Sequence, residues 1–373
     1  MCPFVSAQSA LREYLQCFKE GEDPVEYIYR LFKTVDIVIM GERDHRDITQ
    51  YKLINDIISD SRFATCIGYV YTEVGVTNMT QRANALIKGS YESYEDYNKA
   101  KMNFLRDEDY LFCWEKTNRS IFIDNIYYVN NKLPDESKIT LGLTDVEFDW
   151  YKIKSPAKYK KWYSKYAYDI RDKIMAKNFI KQYKRQKPIN GHRKALLITN
   201  HPHAINNKHA KNEGFRIKQE FGNEKVKIIC LNWYSKAYDG NTQLFDKGRW
   251  DAAFEQTECK PVAFSIYGTP LGHTTYKFED TDHGLTFQNY MDGIIYYEPF
   301  YKFKASIGVE GFVDDSCKDE QIRRMNLLYD AGVSSENDYD VLKRYYNTER
   351  TFPCEDKNVL DQMKKQMRIH IEE

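Results

Sequence analysis

The sequence has little of three things: long hydrophobic runs, clustered cysteines and net charge. No apolar run among its 373 residues approaches the ~20 residues that cross a bilayer. The eight cysteines are widely spaced, without a C-x-x-C pair, which excludes a disulfide scaffold and a zinc finger. The 55 Lys and Arg residues cancel the 55 Asp and Glu residues, so bulk charge favours neither a nucleic acid nor a membrane as partner, although a local basic patch is compatible with it.

The cysteines and the first residues of the sequence indicate the compartment in which we expect the protein. Cys66 and Cys230 lie inside apolar runs, where free thiols pack as small hydrophobic groups in a reducing compartment. Residues 1–10 lack the pattern of a secretory signal, so we expect a soluble cytoplasmic protein.

The sequence contains no G-x-S-x-G, Walker A, G-x-G-x-x-G or H-E-x-x-H motif, which removes the simplest support for serine hydrolases, P-loop NTPases and zincins.

Short apolar or β-branched runs, mostly separated by stretches of helical periodicity, predict an α/β fold. The predicted strands are 35–40, 65–73, 138–143, 194–199, 226–231, 261–266 and 293–297. Several are apolar throughout, so we expect a central, mainly parallel sheet with helices on both faces. Helices are predicted at 47–59, 107–131 and 156–183, the last with a very basic exposed side.

The helical stretches also suggest how the chain is organised. No strand fits between residues 79 and 131, which predicts a helical insertion at about 79–131 within an α/β core over 1–310. A helical C-terminal extension over 311–373, with helices near 318–329, 338–346 and 358–371, is expected to pack on that core.

Ionisable side chains recur where the predicted strands end. They are Glu42 and His45, Glu73, Asp145, and His201 with His203. In open α/β sheets, ligands bind in the crevice at the carboxyl ends of the strands, so these residues predict a site.

The first of these strand ends reads Gly41-Glu-Arg-Asp-His45. We expect the strand to end at Met40, Gly41 to allow a sharp turn and a helix to start near residue 47. A histidine just before a helix N-terminus stays neutral and can accept a proton, and Glu42 would orient its ring. The alternative is that Glu42 and Asp44 cap the helix while His45 is a solvated loop residue.

The second histidine turn follows another apolar run, at Asn200-His-Pro-His203. Pro202 favours an extended conformation at His201, so both rings can share one side. Neutral imidazoles suit a transition metal, and the alternative is a polar turn with one hydrogen-bonded histidine.

The predicted basic helix carries Arg171, Met175 and Asn178 on one face. An Arg on such a face points inward, where it needs a carboxylate such as Glu42 or Glu73, or an anionic substrate. It would stabilise developing charge or, alternatively, form a buried structural ion pair.

These residues resemble the erythromycin esterase-like family, within the wider group that also holds ChaN-like haem-binding and TraB/TIKI proteins. The likeness rests on G-E-x-x-H at 41–45, the strand-end Glu73, R-D-x-x-M-A-x-N at 171–178 and the histidine turn at 200–203. It covers about 35–203 well, 226–298 loosely and the C-terminal tail not at all. The sequence departs from the family pattern at Arg46, where a glycine is usual, and in the second histidine turn, which usually reads H-N-x-H and here reads Asn200-His-Pro-His203.

The resemblance implies hydrolysis of an ester or lactone in a small molecule by an activated water, without a covalent intermediate or a cofactor. It implies a cleft between the α/β core and a helical part. The roles implied are general base for His45, orientation for Glu42 and Glu73, carbonyl polarisation or leaving-group protonation for His201 or His203, and charge balance for Arg171. The implied substrate-binding residues are Asn178, Trp114 and Asp145, and Arg46, where the sequence departs from the family, is predicted to narrow the pocket or add an anion contact to the substrate.

Two other functions are open at this point. TIKI-like relatives suggest a metal-dependent hydrolase or peptidase, with a divalent metal held by His45, Glu73, His201 and His203. ChaN-like relatives suggest a protein that binds haem or a metal complex.

Overall fold

The computed structural model describes residues 7–111, 116–168, 170–236, 242–276 and 284–372. Its strands are β1 (Ile37–Glu42), β2 (Tyr69–Val76), β3 (Thr140–Asp145), β4 (Ala195–Asn200), β5 (Val226–Leu231), β6 (Ser235–Lys236), β7 (Thr242–Gln243), β8 (Val262–Ser265), β9 (Gly293–Tyr296), β10 (Lys304–Ile307) and β11 (Arg350–Pro353). No helix among the described residues is long and apolar enough to cross a membrane.

The structure contains α-helices along the whole described chain, and in its first half one or more of them lie between successive strands. They are α1 (Ala7–Glu20), α2 (Pro24–Leu31), α3 (Thr49–Ser59), α4 (Thr80–Lys88), α5 (Tyr94–Asp107), α6 (Lys116–Asn130), α7 (Pro156–Tyr163), α8 (Arg171–Lys184), α9 (His201–Ala204), α10 (Glu213–Phe221), α11 (Arg249–Gln256), α12 (Pro270–His273), α13 (Phe287–Tyr290), α14 (Lys318–Asp330), α15 (Tyr339–Asn347) and α16 (Lys357–Glu372).

A seven-stranded sheet in the order β3-β2-β4-β1-β5-β9-β8 confirms the predicted α/β fold and its mainly parallel sheet. Of the strand pairs given in register, β1–β5, β2–β3, β2–β4 and β5–β9 are parallel, and β8 pairs with β9 antiparallel. All seven predicted strands are present. Every residue of β1 is buried, as expected for a strand covered on both faces.

The chain folds into two compact units. The first unit comprises Met1–Ile57, Asn200–Lys304 and Pro353–Glu373, and the second comprises Ile58–Thr199 and Ala305–Phe352. These two units do not test the predicted core over residues 1–310 with its C-terminal extension over 311–373. That organisation stays a prediction.

The second unit contains α4, α5 and α6, within and near the predicted insertion. The predicted helix 156–183 is interrupted between α7 and α8, because Ser164–Tyr168 forms a turn of π-helix. Tyr159 and Trp150 are buried in an aromatic core beside the helices α7 and α14. The predicted C-terminal helices are present as α14, α15 and α16, but the strand β11 also occurs in this tail and pairs with β10.

Candidate functional site

The first unit brings Glu42 and His45 into direct contact. His45 Nδ1 lies 2.5 Å from Glu42 Oε1, and the side chains are 19% and 1% exposed respectively. An ionised carboxylate only accepts hydrogen bonds, so Nδ1–H would be the donor to it, and the neutral tautomer that makes this bond has its lone pair on Nε2. The other carboxylate oxygen, Glu42 Oε2, is buried and has no hydrogen-bond partner in the described part of the chain. The pair therefore has the geometry of a base and its orienting carboxylate.

Side-chain hydrogen bonds to the backbone hold this loop in place. The buried Gln50 accepts from the Arg43 amide through Oε1 at 2.8 Å and donates to the Asp44 carbonyl through Nε2 at 2.7 Å. Asn200 Nδ2 donates to the Arg43 carbonyl. Strand β1 extends through Glu42, two residues further than predicted, so the carboxylate lies on the strand and only the imidazole lies in the loop.

Arg43, between Glu42 and His45, points into the protein. Its side chain is 3% exposed, its Nη1 lies 3.0 Å from Asp47 Oδ2, and its guanidinium lies 3.8 Å from the ring centroid of Phe303. Burial lowers the pKa of Arg43. Asp47 also caps α3, where it accepts from the Thr49 amide at 2.9 Å. Arg43 is therefore an anchor beneath the loop.

The His201 turn lies directly beside the Glu42 strand. A Cβ on Gly41 would be 3.3 Å from His201 Cα, 3.2 Å from Ala204 Cβ and 2.6 Å from Cys230 Sγ. The lack of a side chain at Gly41 thus allows β1 to pack closely against the His201 turn and Cys230. Gly41 lies within β1 and does not form the turn expected from the sequence. Its neighbour Glu42 and the turn α9 are brought together at the carboxyl end of β1.

The two histidines of this turn differ in environment. His201 is buried and His203 is partly exposed. Burial, with a smaller effect of His203, lowers the pKa of His201 to about 3, so His201 is neutral at physiological pH. A neutral imidazole can donate a hydrogen bond to a substrate carbonyl but does not supply the proton of an imidazolium.

Trp233, just after β5, is a residue that the sequence analysis missed. Its ring lies 4.5 Å from the His201 ring, and it contacts the aromatic side chains of Phe245, Tyr276 and Phe287. Trp233 Nε1 is buried and donates no hydrogen bond among the described residues. The sequence signal for Trp233 was its position just after the predicted strand 226–231, and the structure shows that this strand pairs with β1.

The second unit holds a cluster of Glu73, Asp145 and Arg171. Arg171 Nη2 donates to Glu73 Oε1 at 2.7 Å, and Arg171 donates to both Asp145 oxygens at 3.0 and 3.1 Å. Thr199 Oγ1 donates to Glu73 Oε2 at 3.0 Å. Burial raises the pKa of Asp145, although Arg171 opposes this. Both oxygens of Glu73 are therefore engaged.

The remaining predicted residues have varied surroundings. Asn178 Nδ2 donates to the carbonyls of Thr144 and Asp145 at 2.9 and 3.1 Å, which fastens α8 to β3. Arg46 forms an ion pair with Asp44 at 2.6 Å near the surface. Trp114 lies outside the described residues. Their predicted roles in substrate binding stay predictions.

Metal ligation requires several donor side chains that converge on one position. Within the described ranges, no group of three or more His, Cys, Asp and Glu residues is arranged to hold a metal ion.

Comparisons with known proteins show the fold and no more. No family model matches the chain, and no curated protein matches its sequence. A succinoglycan biosynthesis protein of known structure has a TM-score of 0.52 at 8% identity, with 78% of this chain and 97% of that chain covered. This likeness shows a shared fold.

Two other solved structures match more weakly. Erythromycin esterase EreC has a TM-score of 0.44 at 9% identity, over 76% of this chain and 95% of that chain. The haem-bound ChaN of Campylobacter jejuni has a TM-score of 0.36 at 13% identity, over 56% of this chain and 85% of that chain. Scores this low support no argument about function.

Proposed function

We propose that this protein is a hydrolase that cleaves an ester or lactone in a small molecule with a water activated by His45. The observation that carries the proposal is the contact between buried Glu42 and partly exposed His45. It is supported by the His201 turn, which lies against the same strand end.

In the proposed mechanism, His45 Nε2 removes a proton from a water while the water oxygen attacks the substrate carbonyl carbon. Glu42 keeps the accepting nitrogen oriented and stabilises the imidazolium that forms. The neutral His201 donates a hydrogen bond to the carbonyl oxygen as negative charge develops there. The tetrahedral intermediate then collapses, and the leaving alcohol takes the proton that His45 accepted from the water, directly or through His203.

Other residues named from the resemblance are left out of these steps. Glu73 and Arg171 are bonded to each other in the second unit, and their assignment to the same reaction stays a prediction from the sequence. The substrate itself is defined only by chemical class, as a carbonyl ester or lactone.

The test is a screen of the purified chain against p-nitrophenyl esters, aliphatic lactones and amides, with and without a chelator. We expect hydrolysis of an ester or lactone that persists with chelator. His45→Ala should lower kcat by about 10²–10⁴-fold, the usual contribution of general acid–base catalysis. His273→Ala, at an exposed histidine of the same unit, is the matched control and should keep full activity.

The alternatives give different results in the same assays. Wild-type rates in His45→Ala would exclude His45 as the base. Activity lost on chelation and restored by a divalent metal would indicate a metal-dependent hydrolase. A Soret band on titration with haem, without turnover, would indicate a haem-binding protein.

A further inference from the structure

The charge of this chain is strongly segregated although its total is zero. Residues 152–194 contain 15 of the 55 basic residues and only two acidic ones, which gives this segment a net charge of +13. Because the whole chain is neutral, the remaining residues carry −13. Thirteen of the 15 basic side chains are exposed. The segment lies entirely within the second unit.

Helix α8 arranges part of this charge in a line. Its buried residues Met175, Phe179 and Tyr183 lie on one side of the helix, which packs on β3. The exposed residues on the opposite side, here called the lysine stripe, are Lys173, Lys177, Lys181 and Lys184. Successive lysines are three or four residues apart, so the charges are spaced about 5–6 Å along the axis and span about 17 Å.

Three of the four lysines in the stripe carry charge that no described residue neutralises. Lys173, Lys177 and Lys181 make no ion pair with any described residue. Clustered like charges repel one another and destabilise the compact state, so this arrangement opposes stability unless a polyanion covers it.

Partly exposed aromatic rings occur among lysines in the preceding segment. Trp162 and Tyr163 follow Lys161, and Tyr166 follows Lys165. The Trp162 ring centroid is 6.0 Å from that of Tyr166, and Lys165 Nζ lies 4.9 Å from the Tyr166 ring. Aromatic rings interleaved with cations suit a polymer that carries both planar bases and regularly spaced negative charges.

We propose that the lysine stripe binds the sugar–phosphate backbone of a single-stranded nucleic acid, without sequence preference. A row of evenly spaced cations matches a flexible polymer with one charge per repeat. Lysine provides point charges, and the stripe lacks the arginine forks that read guanine edges. This differs from the expectation drawn from net charge, because the total averages over the segregation.

A membrane surface fits the segment less well. A helix that binds at the lipid interface needs large apolar side chains that enter the bilayer. Among the described residues 152–194, none of the large hydrophobic side chains is exposed. Anionic vesicles are therefore included as a competing ligand in the test.

The test is fluorescence anisotropy with a labelled 20-nucleotide single-stranded oligodeoxythymidine and the full chain at 50 to 200 mM NaCl. We expect binding that weakens with salt. The variant Lys173→Gln/Lys177→Gln/Lys181→Gln/Lys184→Gln should raise Kd at least about tenfold. It should reduce the slope of log K against log salt by up to about 3, since each contact with a single strand contributes about 0.7.

Two control variants separate charge from fold. The same four positions changed to Arg keep the charge and should keep the affinity. Lys33→Gln/Lys208→Gln/Lys225→Gln/Lys260→Gln removes four exposed lysines of the first unit and should leave Kd within about twofold. Circular dichroism confirms that each variant is folded.

The proposal is overturned by absence of oligonucleotide binding at 50 mM NaCl, or by equal losses in the two glutamine variants. It is also overturned if the chain binds vesicles containing phosphatidylserine while it ignores the oligonucleotide, since that result identifies a membrane surface.

Discussion

Glu42 and Glu73 are similar in position and different in what they bond. Each lies at or near the carboxyl end of a parallel strand, and each is 1% exposed. Glu42 contacts the imidazole of His45 through one oxygen, while its other oxygen has no hydrogen bond among the described residues. Glu73 has Arg171 on one oxygen and Thr199 on the other.

The difference suggests that Glu42 can take part in catalysis and that Glu73 stabilises the fold. A buried oxygen without a protein partner raises the free energy of the folded state unless a water or a ligand bonds to it, so Glu42 Oε2 has capacity for such a contact. A carboxylate that accepts from a guanidinium and from a hydroxyl is held in place by both and is stabilised as an anion. We therefore expect substitutions at Glu42 to change activity and substitutions around Glu73 to change stability.

The largest expected effect comes from comparing Glu42→Gln with Glu73→Gln. Glu42→Gln should lower kcat by about 10²-fold or more, because an amide does not stabilise the His45 imidazolium. Its unfolding free energy should change by less than about 1 kcal/mol. Glu73→Gln should mainly lower stability, through loss of the ion pair with Arg171. Urea denaturation and ester hydrolysis measure both quantities, and the reverse pattern would refute the comparison.

Removing the cation between two buried carboxylates gives the next largest effect. Arg171→Met leaves Glu73 and Asp145 without their charged partner and should lower the unfolding free energy by about 3–5 kcal/mol. Arg185→Met removes an exposed arginine just after the same helix and should change stability by no more than about 0.5 kcal/mol. Similar urea midpoints for the two variants would contradict a structural role for Arg171.

Thr199→Val removes the hydroxyl that donates a hydrogen bond to Glu73 Oε2. The hydroxyl is buried and bonds a charged group, so we expect a loss of about 1.5–3 kcal/mol in unfolding free energy. Thr199→Ser keeps the hydroxyl and should recover most of that loss. Equal losses in both variants would assign the effect to packing of the threonine methyl group.

The smallest expected effect is a pH dependence of stability caused by His201, whose turn lies beside the strand that carries Glu42. The pKa of His201 is lowered by burial to about 3, whereas an unfolded histidine titrates near 6.5. Below about pH 6.5 the unfolded state binds the extra proton, so His201 lowers stability as pH falls, by at most about 1.4 kcal/mol per pH unit. His201→Gln should flatten the stability profile between pH 6.5 and 5, measured by urea denaturation. A parallel profile would show that His201 is protonated in the fold.

The local hydrophobic pattern of the sequence was enough to predict the seven strands of the sheet. The seven strands follow from apolar runs, and the predicted bounds 226–231 match β5. The start of β2 was predicted four residues early, because Phe63–Ile67 forms a π-helical turn closed by Gly68 with φ of +71°. The break between α7 and α8 was missed because residues 164–170 contain no Gly or Pro that would mark the π-helical turn at Ser164–Tyr168.

The site could be predicted only where its partners are close in sequence or strongly complementary. The spacing of three residues predicted the pairing of Glu42 with His45. Charge predicted that Arg171 needs a carboxylate such as Glu42 or Glu73, or an anionic substrate, and its partners are Glu73 and also Asp145. Thr199 was missed because its bond depends on strand register. Thr72 pairs with Ile198 across β2 and β4, which places Thr199 opposite Glu73. Such a register is set by the whole sheet.

The absence of a side chain at position 41 restricts which substitutions can be combined at three separate points of the chain. A methyl group there would have to share space with the Cys230 thiol, the Ala204 methyl and the backbone of His201. Replacement of Gly41 by Ala thus requires a smaller residue at 230 or a displaced turn at 201. In a mutational library, positions 41, 204 and 230 should therefore vary as a correlated triplet.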